Sequence, residues 1–188
     1  MGKLIYSAIT SLDLFIADAD GKFDWAMPDA EVHQHANDAS RDVGTYLYGR
    51  RMYDVMVAWE TIRDTPDAIA NEFGELWRGT DKIVYSRSLS AVKSARTRIE
   101  PRFDAEAVSQ LKATAERDIA IGGAHLAAEA LDIGLVDEIQ LYLNPIIVGS
   151  GIAALPDSLW QKLELVEERR FGNGVVFVRY ACVAEPGV

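Results

Sequence analysis

The sequence predicts an α/β fold: a mainly parallel central sheet, flanking helices and an antiparallel C-terminal hairpin. Three observations predict it. Short apolar runs at residues 3–10, 45–48 and 82–86 alternate with segments of helical period, as in strands linked by crossover helices. Residues 118–151 read as a strand, Gly122-Gly123, a helix carrying Leu126, Ala127, Ala130 and Leu131, a Gly134 cap, and a long strand over 136–148. Residues 163–171 and 175–183 read as two strands joined through Gly172-Asn173-Gly174, a short-hairpin signal.

Taken in order, residues 3–10 form a buried first strand, and Asp18, Asp20 and Gly21 mark a turn before Trp25. Pro28-Asp29-Ala30-Glu31 opens a helix reaching about Arg41, with proline early and acids in the first turn. Strand 45–48 is cut by Gly49, and Arg50-Arg51 begins a helix running towards Trp59. A short helix is expected over 67–77, strands over 82–86 and 97–100, and a helix over 105–117. Pro145, inside the run 136–148, implies an edge, a bulge or an interruption there. One domain spanning 1–188 is expected from the length.

The chain is 49% hydrophobic and 26% charged, ordinary for a globular protein, and its net charge is −10. That balance argues against general binding to nucleic acid or acidic membranes, which need a positive face. The single Cys182 excludes an intrachain disulfide, and no run approaches the length of a membrane span. A soluble, cytoplasmic protein is expected. His33 and His35 diverge by about 200° on a helix and cannot share a metal, so none is assigned.

Chemistry concentrates at three strand ends: Tyr48-Gly49-Arg50-Arg51, Tyr85-Ser86-Arg87-Ser88 and Ile121-Gly122-Gly123-Ala124. Ligands of open α/β sheets bind outside the carboxyl ends of the strands. Two glycines before a helix let backbone N–H groups approach a phosphate at the positive end of the helix dipole. Cations in a first turn are disfavoured by about 0.3–1 kcal/mol each, so Arg50 and Arg51 make sense beside an anion. Ser86 and Arg87 supply a hydroxyl and a guanidinium suited to a ribose phosphate.

The order GRRMYD, then IVYSR, then IGGAHLAAEAL…VDEIQLYLNPIIVGSG, with SLDLFIADADGKFDW ahead of it, resembles the dihydrofolate reductase-like superfamily. Within it, the chain is most similar to the C-terminal reductase domain of the riboflavin-biosynthesis enzyme. The resemblance runs from Lys3 to Val183 and implies an NADPH pocket. Arg50 or Arg51 and Ser86-Arg87 would surround the adenosine 2′-phosphate, with Gly49 opening the flanking helix. Gly122, Gly123 and Ala124 would hold the pyrophosphate, the diglycine often being joined by a cis peptide. Ala8 and the 13–25 loop would line the nicotinamide, Asp13 and Trp25 would face the substrate, and a homodimer is usual.

Three positions depart from the family pattern. Folate reductases carry a carboxylate five residues after the loop tryptophan; here that residue is Ala30, between Asp29 and Glu31. Leu14 replaces a glycine and Ile121 a glutamate of the pyrimidine reductases. One cysteine cannot supply the zinc site of a deaminase partner. Asp13 and Asp24 stand as candidate acids or substrate hydrogen-bonders. Three readings follow: an NADPH-dependent reductase of a small heterocycle, like 5-amino-6-(5-phosphoribosylamino)uracil reductase; a dihydrofolate or pterin reductase; or an inactive NADP-binding module.

Overall fold

Strands buried on both faces need apolar side chains on both, and the central strands have them. The computed structural model describes residues 1–183; residues 184–188 of the expected domain lie outside the described part. Its strands are β1 (Leu4–Thr10), β2 (Phe15–Asp18), β3 (Val43–Gly49), β4 (Asp81–Tyr85), β5 (Thr97–Glu100), β6 (Asp118–Gly122), β7 (Glu138–Leu143), β8 (Gly151–Ala153), β9 (Leu163–Arg170) and β10 (Val176–Cys182). Its helices are α1 (Ala30–Ser40), α2 (Arg50–Met56), α3 (Ala68–Gly79), α4 (Ala105–Thr114) and α5 (Ala124–Asp132). Eight strands form one sheet in the order β5-β4-β3-β6-β1-β7-β10-β9. The first six are parallel, and β10 and β9 complete it antiparallel, as the C-terminal hairpin predicts.

Period-two alternation sends neighbouring residues to opposite layers. Leu47, Ile83, Ile121 and Ile139 pack with Val108 of α4 and Leu126, Ala127, Ala130 and Leu131 of α5. Tyr46, Tyr48 and Val84 face the other way, against Tyr53 of α2 and Trp77 of α3. On that second face Val32 of α1 meets Tyr142, Phe171 and Phe177. Among the described residues no helix is long and apolar enough to cross a membrane.

Two expectations need correction, and one small sheet is an addition to them. The strand expected over 136–148 is shorter, ending at Leu143. Pro145 has no N–H to donate, and the N–H of Ile146 turns back to the carbonyl of Asn144 at 2.8 Å. The helix expected over 105–117 ends at Thr114, because Ala115 is extended at ψ 134. The strands β2 and β8, too short to show a period, pair as a separate two-stranded sheet that ties the 11–18 segment to the 144–154 segment.

Lys82 is buried, only 1% exposed, and its ammonium donates to the carbonyls of Trp77 and Thr80 at 2.8 and 2.7 Å, closing the end of α3. Burial nevertheless pushes its pKa down from 10.5 to about 8. The folded state therefore holds this proton less tightly than the unfolded chain does. Its opposition to folding is full below pH 8 and fades as pH rises from 8 towards 10.5. Thermal melts should show the parent gaining stability relative to Lys82→Met across that window. A constant difference would contradict the assignment.

Candidate active site

The connection leaving β3 leads outward to β4, whereas the one leaving β6 leads across β1 to β7. Because β3 and β6 are neighbours, their carboxyl ends flank the topological switch point, where ligands of open α/β sheets bind. The registers bring the three predicted strand ends level: Gly49 lies beside Tyr85, and Tyr48 beside Gly122. The backbone register thus sets these three strand ends side by side.

The helices that start there differ from the rest. Asp29, Asp67 and Asp104 cap α1, α3 and α4, each accepting backbone N–H groups through its carboxylate. By contrast α2 and α5 begin at Gly49 and Gly123, with no side-chain cap and no acid in the first turn. Their starts adjoin: a Cβ on Gly49 would lie 3.8 Å from the Cβ of Leu126, and one on Gly123 3.3 Å from the Cβ of Met52. Gly123 has φ +97, a conformation that disfavours any side chain. Tyr48 and Met52 fill the space that a Cβ on Gly122 would need, so packing alone accounts for that glycine. The Gly122–Gly123 peptide is trans, as cis peptides are absent among the described residues, unlike the bond the resemblance implies.

Arg50, Arg51 and Arg87 are all exposed. Arg50 donates to the Ser88 hydroxyl at 2.6 Å and lies 3.6 Å from Asp54, which joins the loops after β3 and β4. Arg51 and Arg87 form no ion pair with a described residue. The Ser86 hydroxyl accepts from the N–H groups of Ser88 and Leu89, holding the turn that presents Arg87. Bare N–H groups at two helix starts, with exposed guanidinium groups on the same strand-end loops, are the chemistry that suits an anion.

The loop residues divide. Asp13 accepts from Val148 N–H at 3.2 Å and Gly149 N–H at 2.8 Å, so both carboxylate oxygens are engaged. The Ser11 hydroxyl, followed by these backbone groups, holds its pKa below the ordinary carboxylate value. Asp24 is exposed and opens the helical turn carrying Trp25, whose indole N–H is buried without a partner. Ala8 pairs with Leu141 in register and packs on the first-face core. The carboxylates flanking Ala30 are both occupied: Asp29 caps α1, and Glu31 accepts from Gly172 N–H and Arg169. Leu14 adopts φ +63, which costs about 1–2 kcal/mol for a side-chain-bearing residue, and packs against the core.

Ser7 and Gln140 went unnoticed in the sequence. Within β1, β3, β6 and β7, Ser7 alone is exposed. A serine in an apolar strand is a faint signal, and only the strand order shows that this strand is central.

A family model described as RibD C-terminal domain matches residues 2–177. An uncharacterised protein of Bacillus subtilis, YyaP, is 29% identical over 180 residues, covering 95% of this chain and 94% of its own. A solved structure from Shewanella sp. PV-4, named for riboflavin biosynthesis, matches with TM-score 0.75 at 19% identity over 97% of this chain and 99% of that one. A Thermotoga maritima structure named as a diaminohydroxyphosphoribosylaminopyrimidine deaminase/5-amino-6-(5-phosphoribosylamino)uracil reductase matches with TM-score 0.67 at 16% identity, over 97% of this chain and 57% of that one. These likenesses to solved structures establish the dihydrofolate reductase-like fold.

Proposed function

The chain belongs to the RibD C-terminal domain family, and on that footing we propose that it is an NADPH-dependent reductase acting on a small planar heterocycle of the pyrimidine class. The observation that carries this reading is the pair of adjoining, uncapped helix starts flanked by Arg50, Arg51 and Arg87. Free N–H groups at the start of α5, beyond Gly122, Gly123 and Ala124, suit a pyrophosphate. The three arginines and Ser86 suit the 2′-phosphate that distinguishes NADPH from NADH. When bound, NADPH supplies the hydride.

The chain's own residues do the rest. Asp13, ionised and bonded to two backbone N–H groups, holds the loop wall in place rather than delivering a proton. Asp24, exposed beside Trp25, is the carboxyl group we assign to proton delivery. A pterin substrate is less well served, because Asp29 and Glu31 are occupied on either side of Ala30. The substrate is a small molecule; nucleic acid is a poor match for the acidic balance, and a homodimer is the assembly we propose on family grounds.

The test is oxidation of NADPH in the presence of 5-amino-6-(5-phosphoribosylamino)uracil and, separately, dihydrofolate. Turnover with the uracil supports the proposal, and turnover with dihydrofolate alone moves the substrate to the pterins. NADPH binding without turnover of either substrate would identify a binding module and overturn the reductase reading.

A further inference from the structure

Polar groups inside a sheet are ordinarily either covered and hydrogen-bonded or absent. One pair here is neither. Ser7 lies one residue beyond the Tyr6–Ile121 pair and is therefore level with Gly122, at the end of β6. It points to the face that α1, α2 and α3 cover, since Tyr6 and Ala8 face the other layer, yet it is exposed. The covering helices thus leave Ser7 itself open to solvent. Its register partner on β7 is Gln140, so the two side chains stand on the same face of adjacent strands, about 4.8 Å apart in the pairing direction. Gln140 is only 7% exposed, but its carboxamide is not among the fully buried unpartnered groups and no described residue hydrogen-bonds it, so its polar end faces solvent. An amide at this opening whose partner is water can exchange that water for the polar edge of a ligand.

We propose that Ser7 and Gln140 form the polar floor that recognises the substrate ring, through an adjoining ring N–H and C=O of lactam or imide type. The inference rests on the reductase reading for what happens to the ring, and on the geometry of the sheet for how it is held. A carboxamide offers one acceptor and two donors, and so matches an N–H and its neighbouring carbonyl together. The Ser7 hydroxyl donates to, or accepts from, the next group on the ring edge. Pyrimidinediones and pterins share this chemistry.

Calorimetric titration of the full chain with 5,6-diaminouracil and with 5,6-diamino-1,3-dimethyluracil tests it, with and without saturating NADPH. Methylation removes the ring N–H. The parent is expected to bind the dimethyl compound at least about tenfold more weakly, the loss of one hydrogen bond to the floor. Ser7→Ala and Gln140→Met are each expected to weaken binding of diaminouracil and to shrink the ratio, while melting temperature and NADPH affinity stay unchanged. Pterin in place of the uracil reports which ring class the floor prefers. Equal binding of the two uracils, binding of neither, or an unchanged ratio in both variants overturns the pair. Discrimination without NADPH binding would instead retain the pair and remove the reductase reading.

Discussion

Replacing Gly151 with alanine should produce the largest loss of stability of any single methyl addition near the site. The added Cβ would lie 2.0 Å from the carbonyl oxygen of Ala17, a backbone atom that cannot swing aside. Gly151 also has φ +153, a region that side chains avoid. Together these should cost about 3 kcal/mol or more, or a fall of roughly 6–12 °C in Tm for a chain of this size. Because β8 is the strand that fixes β2, the 11–18 segment and Asp13 should loosen with it, and NADPH turnover should fall beyond what the stability loss explains. Gly134→Ala is the control: its φ is +68, but nothing lies within 4 Å of the added Cβ. That change should cost only about 1–2 kcal/mol. Equal melting temperatures for the two variants would contradict the close approach of β2 and β8.

The second large effect separates binding from folding. Gly49 sits at φ −70 and ψ 158, ordinary cap geometry, and a Cβ there meets only Leu126 at 3.8 Å. Gly49→Asp should therefore cap α2 as Asp29 caps α1, raising stability by a few tenths of a kcal/mol. It also sets a carboxylate where the cofactor phosphates are proposed to lie. NADPH affinity should fall by at least about tenfold while Tm holds or rises, since like charges in such a site oppose each other. If NADPH bound Gly49→Asp as it binds the parent, the phosphates would not lie at α2.

Much of this was legible because it is local. The strands from 3–10 to 97–100, the hairpin around Gly172–Gly174 and the glycine starts of α2 and α5 each announce themselves over a few residues. The shared level of the three strand ends was legible too, because strand ends in a parallel sheet face one way whatever their order. Less visible were features that depend on partners distant in sequence. The strands β2 and β8 are defined by each other, with Gly151 against Ala17, and neither is long enough to show alternation. Asp13 reads as a catalytic candidate until Val148 and Gly149 are seen to occupy its carboxylate. Leu14 reads as a lost glycine until its φ of +63 shows the glycine-like backbone retained beneath a packed side chain. Ser7 and Gln140 meet only through strand register.

The measurement that bears most directly on the central claim is calorimetric titration of NADPH and NADH against the parent and Arg87→Ala. The parent should bind NADPH tightly and NADH weakly. In Arg87→Ala the NADPH affinity should fall by about tenfold or more, the worth of one charge-assisted hydrogen bond, with NADH little changed. Failure of both nucleotides to bind the parent at millimolar concentration would contradict the cofactor site and leave only the fold.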